Sequence, residues 1–168
     1  MSEEIEIRAA RVKDAAALSG YLGRLGSAAG ASAVTGRPPA PEAQRVFIRK
    51  ALAAERAFVL LAWAGEELVG MVEAWAGDGP EDRHAASLGI SVAAAWRGRG
   101  LGRRLMIRAI ERARAWEGFC RIELAVEAGN APAVGLYESL GFVLEGRRRK
   151  ALSLGGRYED LLVMALVW

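Results

Sequence analysis

Arginine and glycine alternate in the stretch Arg97-Gly98-Arg99-Gly100-Leu101-Gly102-Arg103. Glycine is entropically costly to fix, and neighbouring guanidinium groups repel, so a bound anion is the natural compensation. The stretch separates a strand-like run ending at Val92 from a strongly periodic segment beginning at Leu101. The first turn of a helix has N–H groups without intrahelical partners and lies at the positive end of the dipole. Glycines let a phosphate approach those groups, and Arg97, Arg99 and Arg103 can add charge-assisted hydrogen bonds. A diphosphate meets all of these conditions. The dinucleotide pattern G-x-G-x-x-G fails on spacing, and the P-loop fails because no Gly-Lys-Ser/Thr follows. Taken alone, the loop reads equally well as an ordinary strand–helix turn with solvated arginines.

Other residues able to do chemistry are scattered. Tyr137 sits on an apolar helical stripe. Glu123 and Glu127 share one face of a strand with Ala125, and Glu73 lies on an earlier strand. His84, the single histidine, stands at a strand entrance and reads as structural. Cys120 reads as a small buried hydrophobe. Trp63, Trp75, Trp96 and Trp116 read as core or interface, with Trp75 also able to line an acceptor site.

The elements that must hold these residues follow from periodicity. Ile5 and Ile7 alternate with charges, predicting a strand over 4–10. Asp14 is placed to cap a helix over 15–25 with Leu18, Tyr21, Leu22 and Leu25 on one face. The stretch 26–41 reads as loop, and a helix over 42–55, with Pro41 in its first turn, turns Ala43, Phe47, Ala51 and Ala54 inward. Strands are predicted at 58–63, 68–75 and 85–92. Leu101, Leu105, Met106, Ala109, Ile110, Ala113 and Trp116 mark a helix, with Ile107 off the pattern. Arg121–Val126 alternates as a strand. Asn130 can cap a short helix with Pro132 in its first turn, and Gly141 can end it. Two strands close the chain at about 142–149 and 158–167. The β-α-β arrangement around 101–117 makes strands 85–92 and 121–126 parallel. Arg147 to Lys150 fall on a strand and read as a solvated edge that resists aggregation.

The chain has 168 residues, enough for one domain with one core, taken as 1–168. At 52% hydrophobic and 26% charged residues it is a folded rather than a disordered composition. No apolar run is long enough to span a bilayer, and the acidic opening lacks a secretory signal. A single cysteine excludes an internal disulfide and fits the cytoplasm. Abundant Ala, Gly and Arg point to a GC-rich, bacterial coding genome. The net charge of +3 favours anionic ligands but is too small to argue for nucleic acid.

Two segments together are specific. Arg97, Gly100 and Gly102 fit the Arg/Gln-x-x-Gly-x-Gly/Ala loop of the GNAT N-acetyltransferase superfamily, which this chain resembles. Asn130, Ala133, Leu136, Tyr137, Gly141 and Phe142 fit that family's later pattern, Asn-x-x-Ala-x-x-Leu-Tyr-x-x-x-Gly-Phe. A third stretch, Gly155–Met164, is similar to the ending of many bacterial members. The resemblance implies an α/β fold with a mixed, twisted sheet whose parallel central strands splay apart. It implies acetyl-CoA as co-substrate and no metal. It places the pantetheine arm along Ile90, Ser91 and Val92, and the pyrophosphate on Arg97, Gly98, Arg99, Gly100, Leu101, Gly102 and Arg103. Asn130, Ala133, Leu136 and Tyr137 then line the donor from the following helix.

The implied reaction is attack of an amine on the thioester. The N–H near Val92 receives the developing oxyanion, Tyr137 protonates the leaving thiolate, and Glu123 takes the amine proton, with Glu127 or Glu73 as alternatives. The expected acceptor is a small-molecule amine or amino acid. A peptide N-terminus, or acetyl-CoA binding without turnover, is the alternative. No nucleic-acid or membrane partner is expected, and a homodimer is.

Overall fold

The computed structural model describes residues 4–26 and 39–168, so most of the stretch read as loop at 26–41 lies outside the described residues. Elements follow the expected order: β1 Ile5–Ala9, α1 Ala15–Gly26, α2 Pro41–Ala53, β2 Ala57–Ala64, β3 Glu67–Ala76, β4 Ala85–Val92, α3 Leu101–Arg114, β5 Arg121–Glu127, α4 Ala131–Ser139, β6 Val143–Leu154 and β7 Arg157–Val167. Two short 3-10 turns, Val12–Asp14 and Ala94–Trp96, are additions. They are too short to carry a period in the sequence.

The strands form one mixed sheet in the order β1-β2-β3-β4-β5-β7-β6. The pairs β1–β2, β2–β3, β5–β7 and β6–β7 are antiparallel. β4 and β5 pair in parallel, Ala85 with Arg121, Ala86 with Ile122 and Ser87 with Glu123. That ladder is shorter than either strand, since β4 runs on to Val92 and β5 to Glu127. Among the described residues no helix is long and apolar enough to cross a membrane.

The chain divides into two compact units, Met1–Trp75 with Gly89–Trp116, and Ala76–Leu88 with Glu117–Trp168. In the first, Leu18, Tyr21 and Leu25 of α1 and Ile48 and Ala51 of α2 pack on Val59, Leu61, Trp63 and Met71 of β2 and β3. α3 buries Leu101, Leu105, Met106, Ala109, Ile110 and Ala113 and leaves Ile107 exposed. Each large aliphatic side chain so buried contributes roughly 1.5–3 kcal/mol. α2 differs from the expected stripe. Its buried face is Gln44, Ile48 and Ala51, and Ala43 is exposed. The buried stripe keeps Ala51 but is turned by less than one residue's roughly 100°, which sets Ile48 rather than Phe47 into the core. Phe47 is left half-buried against the Trp75 ring.

Asp14 also departs from expectation. It ends the 3-10 turn instead of capping α1. Its carboxylate accepts the Arg11 N–H at 2.8 Å and bonds of 2.7 and 3.0 Å from Arg8. Asp14 is only 5% exposed. Burial alone would raise its carboxyl, but the Arg8 and Arg11 bonds outweigh this and hold it below the usual range. The stability it contributes is therefore present above the ordinary carboxylate pKa and is lost as pH falls through the lowered one. Asp14→Asn should cost about 1–3 kcal/mol, because among the described residues it leaves Arg8 with only the exposed Glu6 carboxylate 3.9 Å away. Urea denaturation at neutral pH should show that loss, and it should shrink in acid.

In the second unit, β5 alternates as the sequence predicts, with Ile122, Leu124 and Val126 buried. β6 is longer than expected, since its pairing with β7 resumes at Leu152–Leu154 after a register shift between Arg148 and Leu152. Lys150 takes a positive φ of 50° within that irregularity. Its N–H and the Arg147 guanidinium hold the Asp160 carboxyl below its usual range. Residues Arg147–Lys150 are exposed on β6, the last strand of the order. Cys120 is half-buried rather than buried, and His84 is exposed.

Candidate active site

The anion loop is built by its backbone. After the turn Ala94–Trp96, Gly98 and Gly100 adopt φ of 71° and 79°. Gly100 caps α3 in the left-handed conformation, and the first helical bond runs from the Arg104 N–H to its carbonyl at 3.1 Å. An L side chain at either glycine would be strained. A Cβ built there meets no protein atom within 4 Å. The space beside these two glycines is therefore open, and the loop leads directly into the first-turn N–H groups of α3. Left-handed residues next to a helix start make a concave set of such donors, suited to phosphate oxygens.

The three arginines separate. Arg97 Nε donates to the Val92 carbonyl at 3.1 Å, tying the loop back to the end of β4. Arg99 lies over the Trp96 ring, 5.2 Å from its centroid. Arg103 is exposed in the first turn of α3.

Ile90, Ser91 and Val92 are half-buried at the end of β4. The Ser91 hydroxyl is engaged by Tyr21 of α1, their oxygens 3.0 Å apart. Tyr21 is fully buried, and burial pushes its phenol up to about 12. The Ala93 N–H donates to the Val69 carbonyl at 2.9 Å. The Val92 carbonyl and the Ala93 N–H, the two polar groups of one peptide unit, are thus both engaged, which fixes the strand end next to the Val92 N–H.

On α4, Asn130 Oδ1 accepts the Ala133 N–H at 3.3 Å, the expected cap. Ala133 and Leu136 are half-buried, while Tyr137 is 6% exposed. Tyr137 packs against Phe142 with ring centroids 5.9 Å apart. Burial pushes its phenol up to about 12, so it keeps its proton across the neutral range.

The carboxylates differ in their company. Glu123 Oε2 is 3.1 Å from Arg121, which also pairs with Glu145. Glu127 ends β5 with its Oε1 buried and, among the described residues, without a hydrogen-bond partner. Glu73, half-buried on β3, accepts the Trp75 Nε1 proton at 3.0 Å, and burial raises its carboxyl. Among the described residues no group of three or more His, Cys, Asp or Glu is arranged to hold a metal ion.

Sequence reasoning missed the Tyr21–Ser91 contact, which spans 70 residues and carries no local signal. It also missed the closeness of Glu73 to Gly89. There a signal existed, because glycine inside a strand marks a close approach by another group.

Residues 31–142, about two thirds of the chain, match the model of the acetyltransferase (GNAT) family, and the chain belongs to that family. The L-amino acid N-acetyltransferase AaaT of Escherichia coli K12 is 40% identical over 88 residues, 52% of this chain and 54% of that protein. The chain thus spans about half the length of that relative. The crystal structure of a GNAT-family acetyltransferase from Streptococcus pneumoniae superimposes with a TM-score of 0.91 at 30% identity, covering 98% of this chain and 100% of that one. The yncA protein of Salmonella typhimurium, solved with its cofactor acetyl-CoA, shares the fold with a TM-score of 0.86 at 24% identity, covering 97% and 93% of the two chains.

Proposed function

We propose that the whole chain, 1–168, works as one acetyl-CoA-dependent N-acetyltransferase domain that modifies a primary amine of a small molecule or amino acid. The observation that carries this reading is the left-handed glycine loop at the start of α3, directly after β4, in a chain of this family. The loop N–H groups and the first turn of α3 hold the diphosphate, and the main chain of Ile90 and Val92 hydrogen-bonds the extended arm as a neighbouring strand would. Asn130, Ala133 and Leu136 line the donor from α4.

When bound, acetyl-CoA supplies an activated acyl group. The neutral amine nitrogen forms the new N–C bond as the C–S bond breaks. The Val92 N–H, fixed by its neighbours, donates to the carbonyl oxygen as charge develops there. The sulfur leaves with its electron pair and takes the Tyr137 proton. The surplus proton on nitrogen returns to the phenol through solvent, so the products are an amide and a free thiol. A carboxylate first takes the proton of the incoming ammonium. If Glu123 does so, Glu123→Gln loses kcat/KM most at low pH. A pH–rate profile superimposable on the parent's excludes Glu123 and leaves Glu73, Glu127 or water to take that proton.

The free thiol of Cys120 supports a cytoplasmic setting. Val143, Leu144, Tyr158 and Val167, exposed on β6 and β7, support a homodimer, which light scattering measures directly. The function itself is tested by thiol release from acetyl-CoA across amino acids, polyamines, aminoglycosides and N-terminal peptides. Absence of release with every amine, alongside tight acetyl-CoA binding, would replace the enzyme by a binding module.

A further inference from the structure

Glu73 and Trp75 stand two residues apart on β3, so they project from the same side of the sheet. The Trp75 Nε1–H donates to Glu73 Oε2 at 3.0 Å. Gly89 of β4 gives the carboxylate its room, because a Cβ there would stand 3.1 Å from Glu73 Oε1. From α2, Phe47 meets the Trp75 ring with centroids 5.5 Å apart at 51°. Lys50, three residues on and so on a neighbouring part of the same helix face, holds its ammonium 5.4 Å from the centroid of that indole.

One indole thus has a half-buried carboxylate on its N–H edge and an exposed ammonium over its face. Burial raises the Glu73 carboxyl and the Trp75 bond opposes this, and among the described residues no cation contributes. A carboxylate drawn out of water with a neutral donor beside it is completed by a cation. Among the described residues Lys50 is held by the ring face, a contact weak enough at an exposed site to yield to an anion.

We propose that Phe47, Lys50, Glu73 and Trp75 form the acceptor subsite and that it selects a zwitterion, a free amino acid with an apolar side chain. Glu73 receives the α-ammonium, Lys50 the α-carboxylate, and the two aromatic rings cover the side chain. This rests on the N-acetyltransferase reading above. The chemistry balances as written there: the ammonium gives one proton to Glu73, and the freed nitrogen pair makes the N–C bond. Gly89 precedes Ile90 and Val92 on β4, so the carboxylate stands beside the strand to which the donor's arm is assigned.

The test compares L-leucine with 3-methylbutylamine, the same skeleton without the carboxylate, using the full chain and acetyl-CoA. The parent should prefer L-leucine. Lys50→Ala should lower the ratio of kcat/KM for amino acid over amine by about tenfold, the loss of one charge-assisted bond. Glu73→Gln should lower kcat/KM for both acceptors by at least about tenfold, through KM and, with the proton acceptor gone, through kcat, and leave the ratio in place. Tryptophan fluorescence gives a readout independent of turnover. L-leucine titrated into the protein with CoA should change the emission, with Kd about tenfold weaker in Lys50→Ala and the signal lost in Trp75→Phe. Lys50 is exposed, so its variant keeps the fold. An unchanged ratio and Kd in Lys50→Ala overturn the subsite while the transferase reading stands. A parent active only on polyamines or peptides also overturns the subsite. No thiol release with any amine overturns both readings.

Discussion

Tyr137→Phe should reduce turnover by about 10²–10⁴-fold, the usual worth of a positioned general acid, while acetyl-CoA affinity stays within a few-fold. The substitution keeps the ring. Its packing against Phe142 and its buried place on α4 survive, so stability should hold. Only the hydroxyl is removed. Burial holds that phenol at about 12, so the proton is present at every pH at which the enzyme is assayed. The deficit should therefore be the same at about pH 6.5 as at about pH 8.5, which a histidine acid would not give. It should shrink with an acyl donor whose thiol is a better leaving group, because that thiolate needs less protonation. Stopped-flow thiol release separates chemistry from product loss. A variant with near-parental kcat on its best acceptor would make Tyr137 a core aromatic and move the acid elsewhere.

What the sequence made legible tracks the range of the interactions involved. α3 was readable because six buried residues recur at helical spacing over 14 residues. β5 was readable because its alternation is clean. The glycine loop was readable as a stretch where side chains are not tolerated, but for a partly different reason. The sequence suggests that Gly98 and Gly100 make space, whereas both are needed for a left-handed backbone. The rotation of α2 was hidden because small and amphipathic residues flank the true stripe. Gln44 is buried where Ala43 looked the better choice, and only tertiary packing of Ile48 decides between the two faces. Arg97 looked like a ligand for the anion and is also the strut that holds the Val92 carbonyl, a contact within five residues that no period marks. The acceptor side was least legible. Glu73, Gly89, Phe47 and Lys50 come together only through strand neighbours and helix placement, and pairing registers are not written in any one segment.

The glycines of the loop call for different tests, and Gly102 is the cleaner. Gly100→Val would force a β-branched residue into φ near 79°, costing roughly 1–2 kcal/mol of local strain, so its effects on fold and on binding would be mixed. Gly102 lies inside the first turn of α3 with no positive φ. There valine is a slightly better helix former than glycine, by a few tenths of a kcal/mol, so the thermal transition of Gly102→Val should stay in place or rise. On the proposed function, the same two methyl groups would crowd the first-turn N–H donors that the diphosphate is proposed to use. Acetyl-CoA affinity should fall by about 10–100-fold, or roughly 1.4–2.7 kcal/mol. Stability and affinity then move in opposite directions, which general damage to the protein cannot produce. Arg99→Ala should do less, since that exposed guanidinium rests on Trp96 beside two other arginines. Calorimetric titration of folded Gly102→Val decides the matter. Parental affinity for acetyl-CoA would remove the diphosphate from the start of α3, and with it the observation on which the proposed function stands.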